Sequence, residues 1–343
     1  MPATKLILKP FPPFDFDLSA RIFSGDDRQI SRYEDGKFWQ VIRVDGKLVL
    51  VTINALGTVD EPKLSVKLES KERLSMMARK KAAAVVCTIF NLDFDLKPFY
   101  EEVKNDGVMA CLTRRFKGLK SPTTPTVFEA LIDSIVEQQI SLKVANSMER
   151  KLIKTFGDSS KFDGEVYYAF PTAEKLASAT TEQLRECGLS AKKAEYIKEI
   201  SKLIAEGKLN LERLKKEEDV KAIIDRLDEI RGIGVWTAEM TLVRGMQKFE
   251  ALPADDLGLR RVISHYYCKD RLISSEEART IAEKWGKWKG AAAFYLIMAE
   301  WASNKSWKIP LTTSKRFFAR TSQITYRAYS SGHLSEKIGK YQF

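Results

Sequence analysis

The sequence predicts a mainly α-helical protein, α+β overall, in which a small β-sheet N-terminal domain precedes an all-helical body. Three observations predict this fold class: paired apolar runs within residues 1–70, capped amphipathic stretches over residues 126–303, and a Gly-Ile-Gly turn between helical patterns at residues 232–234. A chain of 343 residues is long enough to bury a large core and to form two or three domains.

The N-terminal strands are predicted from two apolar runs, residues 38–44 and 47–53, which are joined at Asp45-Gly46. Aspartate followed by glycine is a strong signal for the tight turn of a β-hairpin. Residues 63–68 alternate between polar and apolar side chains and predict another strand, and a helix follows over about residues 72–90.

The helical body is predicted from residues that begin helices. Thr126 with Glu129, and Ser274 with Glu277, have the spacing of a capping box, in which two side chains satisfy backbone amides at a helix start. Ser190 can cap a further helix. Apolar side chains at helical spacing follow these positions, so several helices with short connections are expected.

Three parts of the chain are predicted on these grounds: a β-rich domain of residues 1–90, a helical body of residues 91–310, and a basic C-terminal tail of residues 311–343. The proline- and threonine-rich residues 121–125 predict a linker. From residue 305 onward, basic and aromatic side chains are interleaved with a single acid. Two interpretations of the tail stay open, a segment that grips nucleic acid and a solvated extension.

Composition excludes several classes of protein. No apolar run approaches the roughly 20 residues needed to span a bilayer, and the N-terminus lacks the features of a signal peptide, so an intracellular location is expected. The net charge of +11 favours a polyanionic partner. The four cysteines are scattered, which predicts reduced thiols rather than disulfides or a metal site.

The most informative segment is residues 231–258, where the Gly-Ile-Gly turn leads into a helix and then to two adjacent aspartates, Asp255 and Asp256. Gly234 and Asp256 are 22 residues apart. Glycines permit a tight turn, and the amides that begin the next helix can bind a phosphate without reading base sequence. A turn of this kind followed by a carboxylate suggests chemistry on a nucleic acid, although the turn alone also fits an ordinary αα-hairpin.

This segment resembles the helix-hairpin-helix–Gly/Pro–Asp motif of DNA glycosylases, and in detail the bacterial 3-methyladenine DNA glycosylase II (AlkA) branch. The helix-hairpin-helix would occupy about residues 217–245. Other stretches are similar to that branch in the same order, namely residues 14–51 to its β-rich N-terminal domain and residues 128–141, 188–201 and 285–301 to helices of its glycosylase body.

The resemblance implies a monofunctional DNA N-glycosylase of base excision repair, which flips an alkylated or deaminated purine out of duplex DNA and leaves an abasic site. Asp256 matches the catalytic position, where a carboxylate stabilises an oxocarbenium-like sugar, and Asp255 a variable one. Strand-cutting relatives have a Schiff-base lysine where this chain has Trp236. The alternatives are a bifunctional oxidised-guanine glycosylase and a non-catalytic damaged-DNA-binding protein in which Asp256 only caps a helix.

The resemblance also implies positions that contact DNA. The phosphate-binding hairpin would comprise Gly232, Ile233, Gly234, Val235, Trp236 and Thr237, and a monovalent cation would be held by the backbone carbonyls of Asp228, Ile230 and Ile233. Ile140, with Gln139 beside it, matches the wedge that fills the hole left by the flipped base, while its spacing also fits a core residue.

The base pocket would be formed by Trp236, Met240, Trp288, Lys289 and Ile297. The closing motif Trp-Gly-Lys-Trp-Lys, residues 285–289, departs from the Trp-x-Pro-aromatic-Arg of AlkA-like enzymes, because lysine replaces both the proline and the arginine. Met240 and Ile297 stand where the bacterial enzyme has aromatic residues. The substrate range of the branch is therefore not carried over.

No redox cofactor or catalytic metal is expected, and the cysteines do not match the iron–sulfur cluster that some related glycosylases contain. Sodium or potassium at the hairpin is the one ion implied. The expected partner is double-stranded DNA containing a damaged base, with no membrane, and the protein is expected to be a monomer. It would act in the cytoplasm at the nucleoid, or in the nucleus of a eukaryote.

Overall fold

An antiparallel sheet forms the N-terminal part of the computed structural model, which describes residues 2–25 and 27–303. Its strands are β1 (Ala3–Leu8), β2 (Ser31–Glu34), β3 (Lys37–Val44), β4 (Lys47–Ala55) and β5 (Leu64–Ser70), in the spatial order β1-β5-β4-β3-β2. The small N-terminal sheet is therefore confirmed.

The predicted hairpin joins β3 to β4. Val44 pairs with Lys47, and the residues between them, Asp45 and Gly46, have φ angles of 48° and 75°. A two-residue turn of type I′ needs positive φ at both positions, and aspartate and glycine tolerate that conformation well. Local turn chemistry therefore sets the register of these two strands.

The sheet has a core of its own. Buried side chains from β3, β4 and β5 pack against helices α1 (Phe16–Phe23) and α2 (Met76–Ile89). Phe38 and Phe90 meet edge to face at its centre, with their ring centroids 5.1 Å apart. Burial of these large apolar side chains holds the helices on one face of the sheet.

The remaining described chain is mainly helical, which confirms the predicted fold class. Its α-helices are α3 (Lys97–Val103), α4 (Gly107–Arg115), α5 (Val127–Glu137), α6 (Leu142–Phe156), α7 (Ala173–Ser178), α8 (Thr181–Glu186), α9 (Ala191–Ala205), α10 (Leu211–Leu214), α11 (Val220–Asp228), α12 (Val235–Thr241), α13 (Leu257–Tyr267), α14 (Ser275–Ala282) and α15 (Lys289–Ser303). A π-helical turn, Leu242–Met246, extends α12, and a 3₁₀ segment, Glu283–Trp288, precedes α15.

The predicted capping residues begin helices, with one difference. Ser274 and Glu277 form a reciprocal capping box, with both bonds 3.1 Å long, and the Ser190 side chain caps α9. At the start of α5, the Glu129 amide donates to the Thr126 hydroxyl at 3.2 Å. The Glu129 carboxylate accepts a hydrogen bond from that same hydroxyl, and not from the Thr126 amide. Half of this capping box is therefore absent.

A two-stranded hairpin interrupts the helical body and was not predicted. It consists of β6 (Ser159–Phe162) and β7 (Glu165–Tyr168), joined at Asp163-Gly164. These two residues have positive φ and the same Asp-Gly signal as the first hairpin. Phe162 is buried against Val41 and Leu50, so the hairpin fastens the N-terminal sheet to the helical body.

Residues 1–299 cluster as one compact unit, with a second hydrophobic core to which α5 and α9 contribute the most buried side chains. The predicted linker is tied down within this unit. The Thr123 amide donates to the Ile89 carbonyl at 3.0 Å, and the Thr124 amide to the Arg244 carbonyl at 3.0 Å. The domain boundary after residue 90 stays a prediction, and the predicted tail of residues 311–343 lies outside the described residues.

Across the described chain, no helix combines the length and the apolar character needed to cross a membrane. Within those same residues, no group of three or more histidine, cysteine, aspartate or glutamate side chains is arranged to hold a metal ion. The four cysteines, Cys87, Cys111, Cys187 and Cys268, are free thiols.

Carboxylates line a cavity of about 610 Å³ between the sheet and the helical body. Burial raises the pKa of Glu129 to about 8 and that of Glu149 to about 7. Burial also raises the pKa of Asp133 well above its usual value, reinforced by the charges of Glu149, Glu137 and Glu129 and opposed by Arg244. Folding therefore makes these groups harder to ionise.

We expect the stability of the protein to fall as pH rises from about 4 to about 8, because these carboxylates are protonated in the folded state over a range where the unfolded chain is ionised. Asp133→Asn removes one of these charges. Its melting temperature should exceed that of the native protein by about 2–4 °C near pH 8.5, and by less near pH 5.5. Thermal unfolding at a series of pH values measures this.

Asp35→Asn is the matched control, since Asp35 is exposed in a turn. If the melting temperatures of the two variants depended on pH in the same way, the raised pKa values of the cavity carboxylates would be contradicted.

Candidate functional site

The turn between α11 and α12 places two glycines in different environments. Gly232 has φ +96°, and a Cβ there would lie 2.3 Å from the ring of Tyr196 on α9. Gly234 has φ −94° and begins α12, and a Cβ there would meet no atom within 4 Å. Gly232 is therefore required by packing, whereas the space beside Gly234 is open to an approaching ligand.

Helix α12 begins without a side-chain cap. Its first amides, including those of Val235, Trp236 and Thr237, consequently lack intrahelical acceptors, as at any helix start. Gly234 and Val235 are exposed, while Ile233 and Thr237 are only 3% and 2% exposed as whole residues. The accessible start of the predicted phosphate site is therefore at Gly234 and Val235.

Gln138, which the sequence analysis did not select, braces this hairpin from the end of α5. Its Nε2 donates to the Gly232 carbonyl and to the Thr237 hydroxyl, both at 2.9 Å. Its own carbonyl accepts Lys193 Nζ at 2.7 Å. Because Gln138 directly precedes the predicted wedge, the wedge loop and the hairpin are held in one arrangement.

Asp256 is the N-cap of α13. Its Oδ1 accepts the Leu259 amide at 2.7 Å, and its own amide donates to the Pro253 carbonyl at 3.0 Å. The carboxylate remains partly exposed, and a Cβ at Gly258 would lie 3.0 Å from Oδ1. Glycine two residues after Asp256 thus leaves room for the capping carboxylate. Asp255 is exposed beside it.

A half-buried ion pair joins α12 to α14 beside the loop that precedes Asp256. Arg279 on α14 donates to both carboxylate oxygens of Glu239, at 2.6 and 3.1 Å, and to the Leu252 carbonyl at 3.1 Å. Its Nη2 also lies 3.7 Å from Asp255 Oδ2. No spacing in the sequence indicates this pair, because its members are 40 residues apart on different helices.

All five predicted base-pocket residues, Trp236, Met240, Trp288, Lys289 and Ile297, are partly exposed. The indole Nε1 of Trp236 is buried and has no hydrogen-bond partner among the described residues. Because an unpaired buried donor is unfavourable, this nitrogen is a candidate to bind a group that the protein alone does not supply.

Two of these five residues, Trp288 and Lys289, contact other side chains of the protein. Trp288 packs against Phe94 and Phe99, with ring centroids 5.5 and 6.3 Å away. Lys289 Nζ lies 2.6 Å from Glu283 Oε1 and lines a small pocket of about 180 Å³ with Glu239 and Arg279. No other predicted base-pocket residue lines that small pocket.

Comparison with known proteins matches the segment that contains these features. The family model of the HhH-GPD superfamily base excision DNA repair protein matches residues 132–287. A DNA-3-methyladenine glycosylase of Bacillus subtilis is 38% identical over 207 residues, which span 60% of this chain and 68% of the relative. DNA-3-methyladenine glycosylase 2 of Escherichia coli is 26% identical over 197 residues, 57% of this chain and 65% of the relative.

Among solved structures, the 3-methyladenine DNA-glycosylase from Archaeoglobus fulgidus aligns with a TM-score of 0.76 at 30% identity, covering 86% of this chain and 98% of that one. This chain belongs to the HhH-GPD superfamily of base excision DNA repair proteins. The resemblance found in the sequence is confirmed. The HhH-GPD match includes the wedge loop, the hairpin, Asp256 and Arg279 but ends before Trp288, Lys289 and Ile297.

In the loop where the wedge is predicted, the backbone distinguishes two neighbouring residues. Gln139 is exposed at the tip of the turn between α5 and α6, with φ +57°. Ile140 is partly buried and packs against the core of the helical body. Apolar side chains next to it on α6, Leu142 and Val144, are 46% and 44% exposed. The structure thus presents Gln139 outward and turns Ile140 toward the core.

The two hairpin glycines should respond differently to alanine. Gly232→Ala places a methyl group against the Tyr196 ring at positive φ, so we expect a loss of about 2–4 kcal/mol in the free energy of unfolding. The methyl group of Gly234→Ala meets open space, so the free energy of unfolding of this variant should lie within about 0.5 kcal/mol of the native value. Thermal or urea unfolding of both variants measures this, and equal destabilisation would contradict the described turn.

Proposed function

We propose that this chain is a monofunctional DNA N-glycosylase of base excision repair that releases alkylated, 3-methyladenine-type, or deaminated purines from duplex DNA and leaves an abasic site. The observation that carries the proposal is Asp256, a partly exposed carboxylate held at the start of α13 and following the hairpin within the HhH-GPD segment. The relatives named for 3-methyladenine support the substrate class.

Asp256 acts on the sugar. As the N-glycosidic bond breaks, positive charge develops at C1′, and a nearby carboxylate stabilises it and orients the attacking water. The Leu259 amide holds Oδ1, so Oδ2 is the oxygen that can approach the sugar. Helix capping and catalysis use the same carboxylate because the cap fixes its orientation.

Trp236 determines the type of reaction. At the position where strand-cutting relatives have an amine, the indole cannot form a Schiff base, so the product is an intact strand with an abasic site. An aromatic face favours a cationic alkylated base. The unpaired Nε1 supplies a hydrogen-bond donor for an acceptor on the flipped nucleotide.

The hairpin binds the DNA backbone. The exposed amides at Gly234 and Val235 begin α12 and attract a phosphate oxygen without contacting base edges. A sodium or potassium ion would be held at the adjacent turn by the carbonyls of Asp228, Ile230 and Ile233. The Ile230 carbonyl accepts the Ile233 amide at 2.9 Å and retains a second lone pair for the ion.

Gln139 fills the space that the flipped base vacates, and Ile140 supports the loop from the core side. The sequence-based prediction put Ile140 first, with Gln139 beside it, and this proposal reverses their order. The protein acts as a monomer on double-stranded DNA, inside the cell, and needs no cofactor for hydrolysis.

Asp256→Asn should abolish excision and preserve binding, because asparagine can still cap α13 but carries no charge. We expect the single-turnover rate constant to fall by about 10²–10³-fold or more. Duplexes containing 3-methyladenine, 1-methyladenine, hypoxanthine or 8-oxoguanine would be incubated with each protein and analysed with and without alkali.

Cleavage that needs alkali and is lost in the variant supports a monofunctional enzyme that uses Asp256. Strand cleavage without alkali, trapped covalently by borohydride, would contradict the role of Trp236. Tight binding without excision of any lesion would instead favour a damaged-DNA-binding protein.

Gln139→Ala should slow excision from duplex DNA by about tenfold or more and leave excision from a single-stranded lesion unchanged, since an unpaired base needs no wedge. Ile140→Ala should lower the melting temperature and affect both substrates alike, because Ile140 packs against the core. Rate constants on the two substrates test this. A duplex-specific loss in Ile140→Ala, absent in Gln139→Ala, would return the wedge to Ile140.

A further inference from the structure

We infer that Arg279, held by Glu239, positions the loop that carries Asp256 and thereby sets the rate of bond cleavage. This inference rests on the proposed function, since it takes Asp256 as the catalytic carboxylate. Arg279 has no contact with Asp256 in the structure and acts through the backbone of the preceding residues, so it is a positioning residue.

The contacts of Arg279 connect three elements. Its guanidinium on α14 binds Glu239 on α12 through two short bonds, 2.6 and 3.1 Å. The same Nη1 donates to the Leu252 carbonyl at 3.1 Å, and Nη2 lies 3.7 Å from Asp255 Oδ2. The helix of the phosphate-binding hairpin and the loop before Asp256 are thus attached to one planar group.

The loop itself is short and tightly bonded. The Leu252 carbonyl also accepts the Ala254 amide at 2.6 Å, and the Pro253 carbonyl accepts the Asp256 amide at 3.0 Å. A displacement of Leu252 is therefore transmitted through these turns to the backbone of Asp256. A misplacement of about 1 Å in a reacting group can cost about 10²-fold in rate.

Glu239 keeps the guanidinium in place. Its side chain is 3% exposed, whereas that of Arg279 is 39% exposed. Burial raises the pKa of Glu239, and the hydrogen bonds and charge of Arg279 oppose that rise. An arginine suits this position because its fork binds both carboxylate oxygens and still has a donor for a carbonyl, which a lysine ammonium reproduces poorly.

The experiment measures excision and binding separately. Arg279→Gln should lower the single-turnover excision rate constant by about 10–100-fold. Its dissociation constant for a duplex with a tetrahydrofuran abasic analogue should stay within about twofold, because the hairpin amides are untouched. Arg279→Lys should restore part of the rate, since it keeps the charge beside Glu239.

Arg271→Gln is the matched control. Arg271 also forms a two-pronged pair with a glutamate of α14, Glu277, at 2.8 and 3.4 Å, but that pair is exposed and has no bond to the loop before Asp256. We expect its excision rate to match that of the native protein.

A double variant separates positioning from stability. Glu239→Met with Arg279→Met removes both charges, so Glu239, which is 3% exposed, no longer leaves an unpaired buried charge. The melting temperature of the double variant should be closer to that of the native protein than the melting temperature of Arg279→Gln is. Its excision rate constant should stay low. Recovery of the rate together with the melting temperature would overturn the inference.

Measuring Asp256→Asn alongside Arg279→Gln distinguishes failure of the positioning role from failure of the proposed function. Loss of excision in Asp256→Asn with a native rate in Arg279→Gln would reject the positioning role alone. Full excision by Asp256→Asn would reject the catalytic assignment on which the inference rests.

Discussion

The tight turn at Gly232 is the constraint on which the rest of the proposed site depends. Its φ is +96°, and the Tyr196 ring occupies the space a side chain would need. With the turn closed in this way, its carbonyl faces Gln138 and α12 begins at Gly234 with its first amides free. The phosphate site, the wedge loop and the tryptophan of α12 are therefore consequences of one backbone conformation.

Two ion pairs then fix the hairpin's second helix. Glu239 on α12 binds Arg279, and Arg244 on the π-helical turn that follows binds both oxygens of Glu137 at 2.7 Å. In the first pair α12 carries the acid and α14 the base. In the second pair the π-helical turn carries the base and α5 the acid. Partly or fully buried pairs of this kind add little net stability after desolvation, but they restrict geometry. The chain has a net charge of +11, so basic side chains outside these two pairs remain to interact with DNA.

Asp256 and the loop at residues 139–140 differ in how well sequence patterns predict their side chains. The acid at position 256 was predicted, and the structure adds that it caps α13 with room provided by Gly258. The wedge was predicted at Ile140 with Gln139 beside it, and of these two the backbone exposes Gln139. The direction of a side chain in a turn depends on φ, and the αL conformation of Gln139 at +57° is not visible in apolar spacing.

The sequence by itself determined the fold class, the first hairpin with its register and the helix starts at Ser190 and Ser274, and it predicted the hairpin and carboxylate of the proposed site. These features rest on turn residues, caps and short spacings, which act between neighbours in the chain. Only the tertiary structure decided which side chains meet across helices: Gln138 with the hairpin, Arg279 with Glu239, and Arg244 with Glu137. Those contacts depend on how whole elements pack, because residues far apart in sequence are brought together by burial of the core.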